Sequence, residues 1–243
     1  MVRERMECKN CNTIFEGNYC NNCGQKASEE RFNILNFPAK FLHGFYHVHS
    51  GLLFTIRELF IRPGETLRGY ISGKRVKYFN PFTYLLLISL VGGFLYKWSG
   101  VPEHFNDIFL ASGDTIRFTG KYFSYRMLLT IPAYAIMCNI IYRSFKYNIA
   151  EHLIINTFLI SQSMVVMVVW LLILILVKPG SLVFEILYIS AFSSLIIYQM
   201  VVFSRLFKTG KTLLRWIKAA ATVLVGLGLS FVLMNFLVKI VHL

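Results

Sequence analysis

Apolar residues fall into five long runs over the last two-thirds of the chain, while the first third is polar or amphipathic. The runs extend from Phe82 to Trp98, Met127 to Tyr142, Leu153 to Val177, Leu182 to Phe203 and Ala219 to Val238. An α-helix needs about 20 apolar residues to cross about 30 Å of hydrocarbon, so the last three runs are long enough unaided. The first two are short, and Lys97 and Arg126 at their ends are expected to snorkel toward the interface. Within the runs, small residues recur every fourth position: Ser89 and Gly93, Ser190 and Ser194, then Thr222, Gly226 and Ser230. That spacing lets helices approach closely. Upstream, Leu52, Leu53, Ile56, Leu59 and Phe60 recur at helical spacing, with Arg57, Glu58 and Arg62 marking a polar side. This predicts a helix lying in the interface or against the bundle. The pattern as a whole predicts an all-α polytopic membrane protein of about five transmembrane helices. Its organisation reads as a small N-terminal head at 1–30, a juxtamembrane arm at 31–80 and a helical bundle at 81–243.

Composition agrees. The chain of 243 residues is 56% hydrophobic and 15% charged, with a mean hydropathy of +0.55. A water-soluble core of this size cannot hide that much apolar surface. The formal charge of +13 would suit a nucleic acid, but its distribution points to orientation instead. Of the 25 basic residues, twelve precede Asn80, two follow the second run (Arg143, Lys146) and five follow the fourth (Arg205, Lys208, Lys211, Arg215, Lys218). The positive-inside rule then predicts a cytoplasmic N-terminus and, after five crossings, an external C-terminus. No nucleic-acid partner is expected. No signal-like apolar run occurs in the first thirty residues, so the first span is expected to be its own insertion signal.

Between Pro63 and Pro81, the basic residues Arg68, Lys74, Arg75 and Lys77 interleave with Leu67, Tyr70, Ile71, Tyr78 and Phe79. Basic and aromatic residues directly before a span suit the headgroup layer of an anionic leaflet. The segment reads either as a topology-fixing anchor or as a lipid-headgroup or phosphate site, with Gly69 and Gly73 allowing close backbone approach. Internal pairing of Lys74 and Arg75 with Glu58 or Glu65 is the competing account.

The head carries Cys8-x-x-Cys11 and Cys20-x-x-Cys23, separated by eight residues. Each C-x-x-C sets two sulfurs on one tight turn, and two such turns facing each other make a tetrahedral thiolate site suited to structural Zn2+. Gly17 and Gly24 supply the backbone freedom this requires. A single iron is the main alternative, and disulfides or free thiols the bland one, which a reducing cytosol opposes. A head this short has too little core to fold alone, so the metal would supply most of its folding energy.

Polar residues inside the runs are few. The patch Ser161-Gln162-Ser163 and Glu185 are the candidates for an intramembrane polar site, with pairing between Glu185 and Lys178 as the bland reading. His43, His47 and His49 cluster in the arm without an acidic or cysteine ligand nearby. No Gly-rich nucleotide loop, zinc-protease helix or nucleophile elbow appears. Three functions follow in order: a non-enzymatic scaffold or adaptor whose zinc head docks a cytosolic protein partner, a small transporter or channel component, and a lipid-modifying enzyme using the histidines. The second would need a homo-oligomer to supply the inverted repeat that five spans lack.

With Cys8-x-x-Cys11, Cys20-x-x-Cys23-Gly24-Gln25-Lys26, Arg62-Pro63-Gly64 and Gly73-Lys74-Arg75 in view, the chain resembles the bacterial family catalogued as domain of unknown function 3667. That resemblance implies a zinc-ribbon-like head, a Pro-Gly and Gly-Lys-Arg segment and several spans, and no activity. A looser similarity to Yip1-type membrane proteins is one of layout only: five spans and a cytosolic N-terminal part.

Overall fold

The computed structural model describes residues 5–27, 31–32, 51–99, 101, 123–208 and 210–241, with the side chains of 123–129, 234–235 and 237–241 set aside. The loop 102–122, His43, His47, His49 and the Arg126 side chain lie outside the described residues. The head is built on strands β1 (Met6–Glu7) and β2 (Ile14–Phe15), paired antiparallel with Met6 opposite Phe15. Two short helices, α1 (Leu52–Ile61) and α2 (Pro63–Ser72), precede five long ones: α3 (Pro81–Trp98), α4 (Phe123–Ile141), α5 (Ile149–Leu174), α6 (Leu182–Leu206) and α7 (Thr212–Val241). Of these, α3, α5, α6 and α7 are long and apolar enough to cross a membrane, and α4 adds a shorter apolar stretch, Thr130–Ile141.

Local chemistry sets the ends. Pro63 sits in the first turn of α2, where its missing N–H costs nothing, so the proline opens a helix as well as closing α1. Gly73, at φ 114°, ends α2 in the left-handed conformation while Lys74 N donates to Gly69 O at 2.9 Å, a Schellman-type stop. Asn80 caps α3 by accepting from Phe82 N and Thr83 N, ahead of Pro81. Asn148 and Glu151 form a reciprocal capping box on α5. That cap carries α5 back to Ile149, four residues before the apolar run, and α7 likewise starts at Thr212 rather than Ala219. Hydropathy marks the membrane-buried length; the helix continues through its polar ends.

The axis of the bundle is α5, which packs against α3, α4 and α6, while α7 packs against α4 and α6. Buried inside the protein is 56% of the most apolar window of α5, against 17% for α6 and 22% for α7. The outward faces of α6 and α7 carry Leu182, Ile186, Ile189, Phe192, Leu224, Phe231 and Phe236. Apolar faces of that extent suit lipid and not water. Gly226 shows what the small-residue spacing is for: a Cβ there would lie 2.7 Å from the buried Tyr134 ring. Around that contact Tyr134, Tyr142, Phe203 and Phe207 stack, with Tyr142 and Phe207 centroids 3.8 Å apart.

The short helix α1 departs from its predicted orientation. Glu58, expected on the polar side, is buried with Thr55 and Leu59, while Leu53 is 79% exposed. The reason is tertiary: Thr66 of α2 donates to Glu58 O, and the Thr55 hydroxyl accepts from Phe79 N at 2.8 Å. Arg62 then satisfies the buried Glu58 carboxylate at 2.8 Å. Glu58 is therefore engaged by Arg62 of its own turn rather than by Lys74 or Arg75.

Candidate metal centre and its seat on the bundle

The head consists of two similar knuckles. In the first, Asn12 N donates to Cys8 O and Cys8 N to Thr13 O; in the second, Gly24 N donates to Cys20 O and Cys20 N to Gln25 O. Each places a left-handed residue directly after its second cysteine, Asn12 at φ 59° and Gly24 at φ 75°. The role of Gly24 was legible from its side-chain-free backbone; Asn12, a residue type that tolerates this conformation, does the same job unannounced. The first knuckle is closed by β1 and β2, the second by a bridge between Tyr19 and Lys26.

These turns bring the four sulfurs within 4.8 Å of one another, with Cys8 to Cys23 and Cys11 to Cys20 each at 3.5 Å. A tetrahedral ion with metal–sulfur bonds of about 2.3 Å requires sulfurs roughly 3.8 Å apart, so the set fits a metal, and all four cysteines are free thiols. Hydrogen bonding with the Thr13 side chain and backbone draws the Cys11 thiol down to about 6. Desolvation lifts Cys23 to about 11; a cation would have to offset the charge before the set could ionise fully. Among the described residues, Cys8, Phe15 and Cys20 form the buried hydrophobic core of the head, too little to hold it without such an ion.

Gln25 seats the head. Its Nε2 donates to Gly73 O at 2.9 Å and its Oε1 accepts from Arg75 N at 3.5 Å, so one buried amide reads the backbone at the end of α2. Gly73 also lies against Lys9, whose side chain a Cβ would meet at 3.0 Å. A second strap comes from the arm. Arg31 pairs with both Glu151 oxygens at 2.6 and 2.8 Å and donates to Lys146 O, while Asn148 Nδ2 donates to Phe32 O. That pairing raises Arg31 above the usual guanidinium range.

The predicted basic segment divides in two. Arg68 donates to the carbonyls of Arg205 and Leu206, both at 2.8 Å, and so ties α2 to the end of α6. Arg75 lies over the Phe32 ring at 3.8 Å. Lys74 and Lys77 instead line a cleft of about 390 Å3 beside Cys11 and Cys23. Gly64 explains the Pro-Gly pair: α2 meets α6 there so closely that a Cβ would lie 2.6 Å from the Arg205 carbonyl carbon.

The intramembrane patch is used in packing. Ser161 and Ser163 donate to the carbonyls one turn back. Gln162 accepts from the Tyr84 hydroxyl and donates to Ile56 O at 3.2 Å, joining α3, α5 and α1. Gln199 donates to Ser163 and accepts from Tyr134. Glu185 is not brought to this group; it sits half-buried in the first turn of α6, where the helix dipole favours an acid. Sequence reasoning missed His152, fully buried in the first turn of α5 beside Tyr147 and Phe207, with both ring nitrogens lacking a hydrogen-bond partner among the described residues.

Fold and site define a multi-pass helical membrane protein whose N-terminal cysteine cluster can hold a metal ion. Residues 49–92, from the approach to α1 into α3, match the model of a family described as a protein of unknown function, DUF3667. The family resemblance therefore stands on the segment that seats the head. No curated protein and no solved structure matches the chain, and the Yip1-type likeness gains nothing from these comparisons.

Proposed function

We propose that the protein is a non-enzymatic adaptor of the bacterial cytoplasmic membrane. A zinc-bound head (1–30) is held on a juxtamembrane arm (31–80) and bundle (81–243) so that it presents a fixed surface to a cytosolic protein partner. The supporting observation is the closed four-sulfur set seated through Gln25: every ligand position is filled by protein, which suits a structural ion and leaves none open for chemistry. The head also exposes Ile14 at 68% and Tyr19 at 62%, apolar anchors of the kind that bind a partner. Gln25 of the head reaches Gly73, Arg31 reaches Lys146 and Arg68 reaches Arg205, so the head, the turn before α5 and the end of α6 share one end of the bundle. Those are the basic connections that the positive-inside rule places in the cytosol. A transport path gains less support, because the amides of Gln162 and Gln199 bond within the bundle.

The full chain purified in detergent should carry about one zinc, lost when Cys8 or Cys20 is replaced by Ser. Reporter fusions after Lys146 and Lys211 should read cytoplasmic, and those after Asp114 and Leu243 external. A photo-crosslinker at Ile14 or Tyr19 should capture one cytosolic protein in a metal-dependent way. A folded head without metal, or a cytoplasmic reading at Leu243, would overturn the proposal.

A further inference from the structure

One face of α1 turns away from the protein. Arg57, Phe60 and Ile61 follow Leu53 by four, seven and eight positions, so the four share a side of the helix. All are exposed, Leu53 at 79% and Ile61 at 53%, and Arg57 lies between the apolar three. The opposite side is pinned. The Thr55 hydroxyl accepts from Phe79 N, Ile56 O accepts from Gln162 of α5, and Leu59 O accepts from Tyr198 of α6. Passing from α5 at Ile56 to α6 at Leu59, α1 crosses the bundle helices and does not run along one of them.

Those anchors set its depth. Gln162 also accepts from Tyr84, three residues after the Pro81 start of α3, or about 4.5 Å at roughly 1.5 Å per residue. Tyr198 stands five residues before Phe203, where the apolar run of α6 ends, or about 7.5 Å. Both distances are close to the roughly 5–10 Å by which in-plane helices sink their apolar side below the membrane surface. The backbone of α1 is finished as hydrocarbon demands. With no N–H on Pro63, Leu59 O would lack its helical donor, and the Tyr198 hydroxyl supplies one at 3.3 Å. Glu58 O accepts from Arg62 N and Thr66 Oγ, and Ile61 O from Arg205 at 3.4 Å. Protein donors thus stand where water would otherwise serve the end of a helix, a need that lipid imposes. The face is also continuous with one that spans: the Phe60 ring meets Tyr198 at 5.8 Å, and Ile197 beside it is 60% exposed on α6.

We propose that α1 lies in the plane of the membrane, within the leaflet nearest the head, and that the partner of its outer face is lipid. Leu53, Phe60 and Ile61 stand among the acyl chains, and the long Arg57 side chain returns its guanidinium to the headgroup phosphates. A symmetric contact with a second copy through this face would set the two Arg57 charges against each other, which disfavours that occupant. Because Thr55 clasps Phe79 and Glu58 O holds Thr66 of α2, lipid on α1 steadies the elements that seat the head. The assignment is independent of whichever partner the head takes.

The test places a photo-crosslinking benzoylphenylalanine at Leu53 or Ile61 of the metallated full chain, in nanodiscs of phosphatidylcholine with or without phosphatidylglycerol. Ile189 on the outer face of α6 is the lipid-facing reference, and Ile14 on the head is the water-facing one. Lipid adducts, read by mass spectrometry, should form at Leu53 and Ile61 within about threefold of the yield at Ile189, and at Ile14 at under roughly a tenth of it. Leu53, the more exposed, decides if the Ile61 variant does not fold. Arg57→Gln should cut the share of phosphatidylglycerol among the Leu53 adducts by roughly two- to fivefold, as one charge near the surface is lost. Adducts to protein at Leu53, from a second copy or another stretch of the chain, overturn the proposal, as does a lipid yield there no greater than at Ile14. An unchanged phosphatidylglycerol share in Arg57→Gln overturns the headgroup contact.

Discussion

Replacing Gly64 by Ala tests the claim that the Pro-Gly pair exists to let α2 meet the end of α6. The new methyl would stand 2.6 Å from the Arg205 carbonyl carbon and 3.0 Å from Leu206 N, with the Arg205 oxygen closer still. Comfortable carbon contacts begin at about 3.5 Å, so α2 must retreat by roughly 0.9 Å. Both obstacles are backbone, and no rotamer change relieves them. Overpacking of this kind costs about 1–3 kcal/mol. The same retreat would stretch the two 2.8 Å bonds from Arg68 to Arg205 and Leu206 past hydrogen-bonding range. Weakening bonds from a charged donor adds about 1.5 kcal/mol. Against this, Ala gains at most about 1 kcal/mol over Gly in a helix. The net expectation is a loss of about 1.5–3.5 kcal/mol, or roughly 3–14 °C in Tm for a chain of this size. The assay is thermal unfolding in detergent followed by intrinsic fluorescence of Trp98, Trp170 and Trp216. Gly228→Ala in α7, where a Cβ meets nothing within 4 Å, is the control and should be neutral or slightly stabilising. If Gly64→Ala leaves Tm within a degree of the parent, or if Gly228→Ala costs as much, the close approach is not what the glycine provides. In an Arg68→Gln background the cost of Gly64→Ala should shrink, because the bonds it strains are already gone.

Two further substitutions probe the seat of the head and the buried imidazole. Gln25→Ala removes both hydrogen bonds to Gly73 and Arg75; hydrogen exchange over residues 5–27 should accelerate while the bundle stays protected and metal is retained. Unchanged exchange would mean that the amide does not hold the head. His152→Phe replaces a buried ring without hydrogen-bond partners among the described residues by an apolar one beside Tyr147 and Phe207, so stability should hold or rise by about 1 kcal/mol. A loss of 2 kcal/mol or more, beyond the roughly 1.5 kcal/mol of a shape-tolerant core swap, would show that the imidazole nitrogens bind something.

The metal set and the spans were legible in the sequence because both depend on short-range spacing. Two residues between cysteines put two sulfurs on one turn whatever lies elsewhere in the chain, and an apolar run of some twenty residues has few options other than a spanning helix. The caps at Asn80 and Gly73 are local, yet the sequence reading took Gly73 only for close backbone approach, and the helix starts shifted where polar turns extend a span, as before Leu153. Orientation of the amphipathic α1 was not, since its burial depends on α2 and Phe79 folding over the face that carries Glu58 and Thr55. Nor did spacing show that one basic segment would split, with Arg68 and Arg75 turned toward Tyr147 and Glu151, and Lys74 and Lys77 toward the cysteines. The pairing of Arg31 with Glu151 joins residues 120 positions apart, and the seat of Gln25 on Gly73 joins residues 48 apart. Such contacts leave no periodic trace, because the partners are selected by how helices stack and not by where they stand in the chain. Residue types and spacings decided that there is a cysteine knuckle, a basic arm and a helical bundle; the tertiary fold alone decided that the three meet around one cavity.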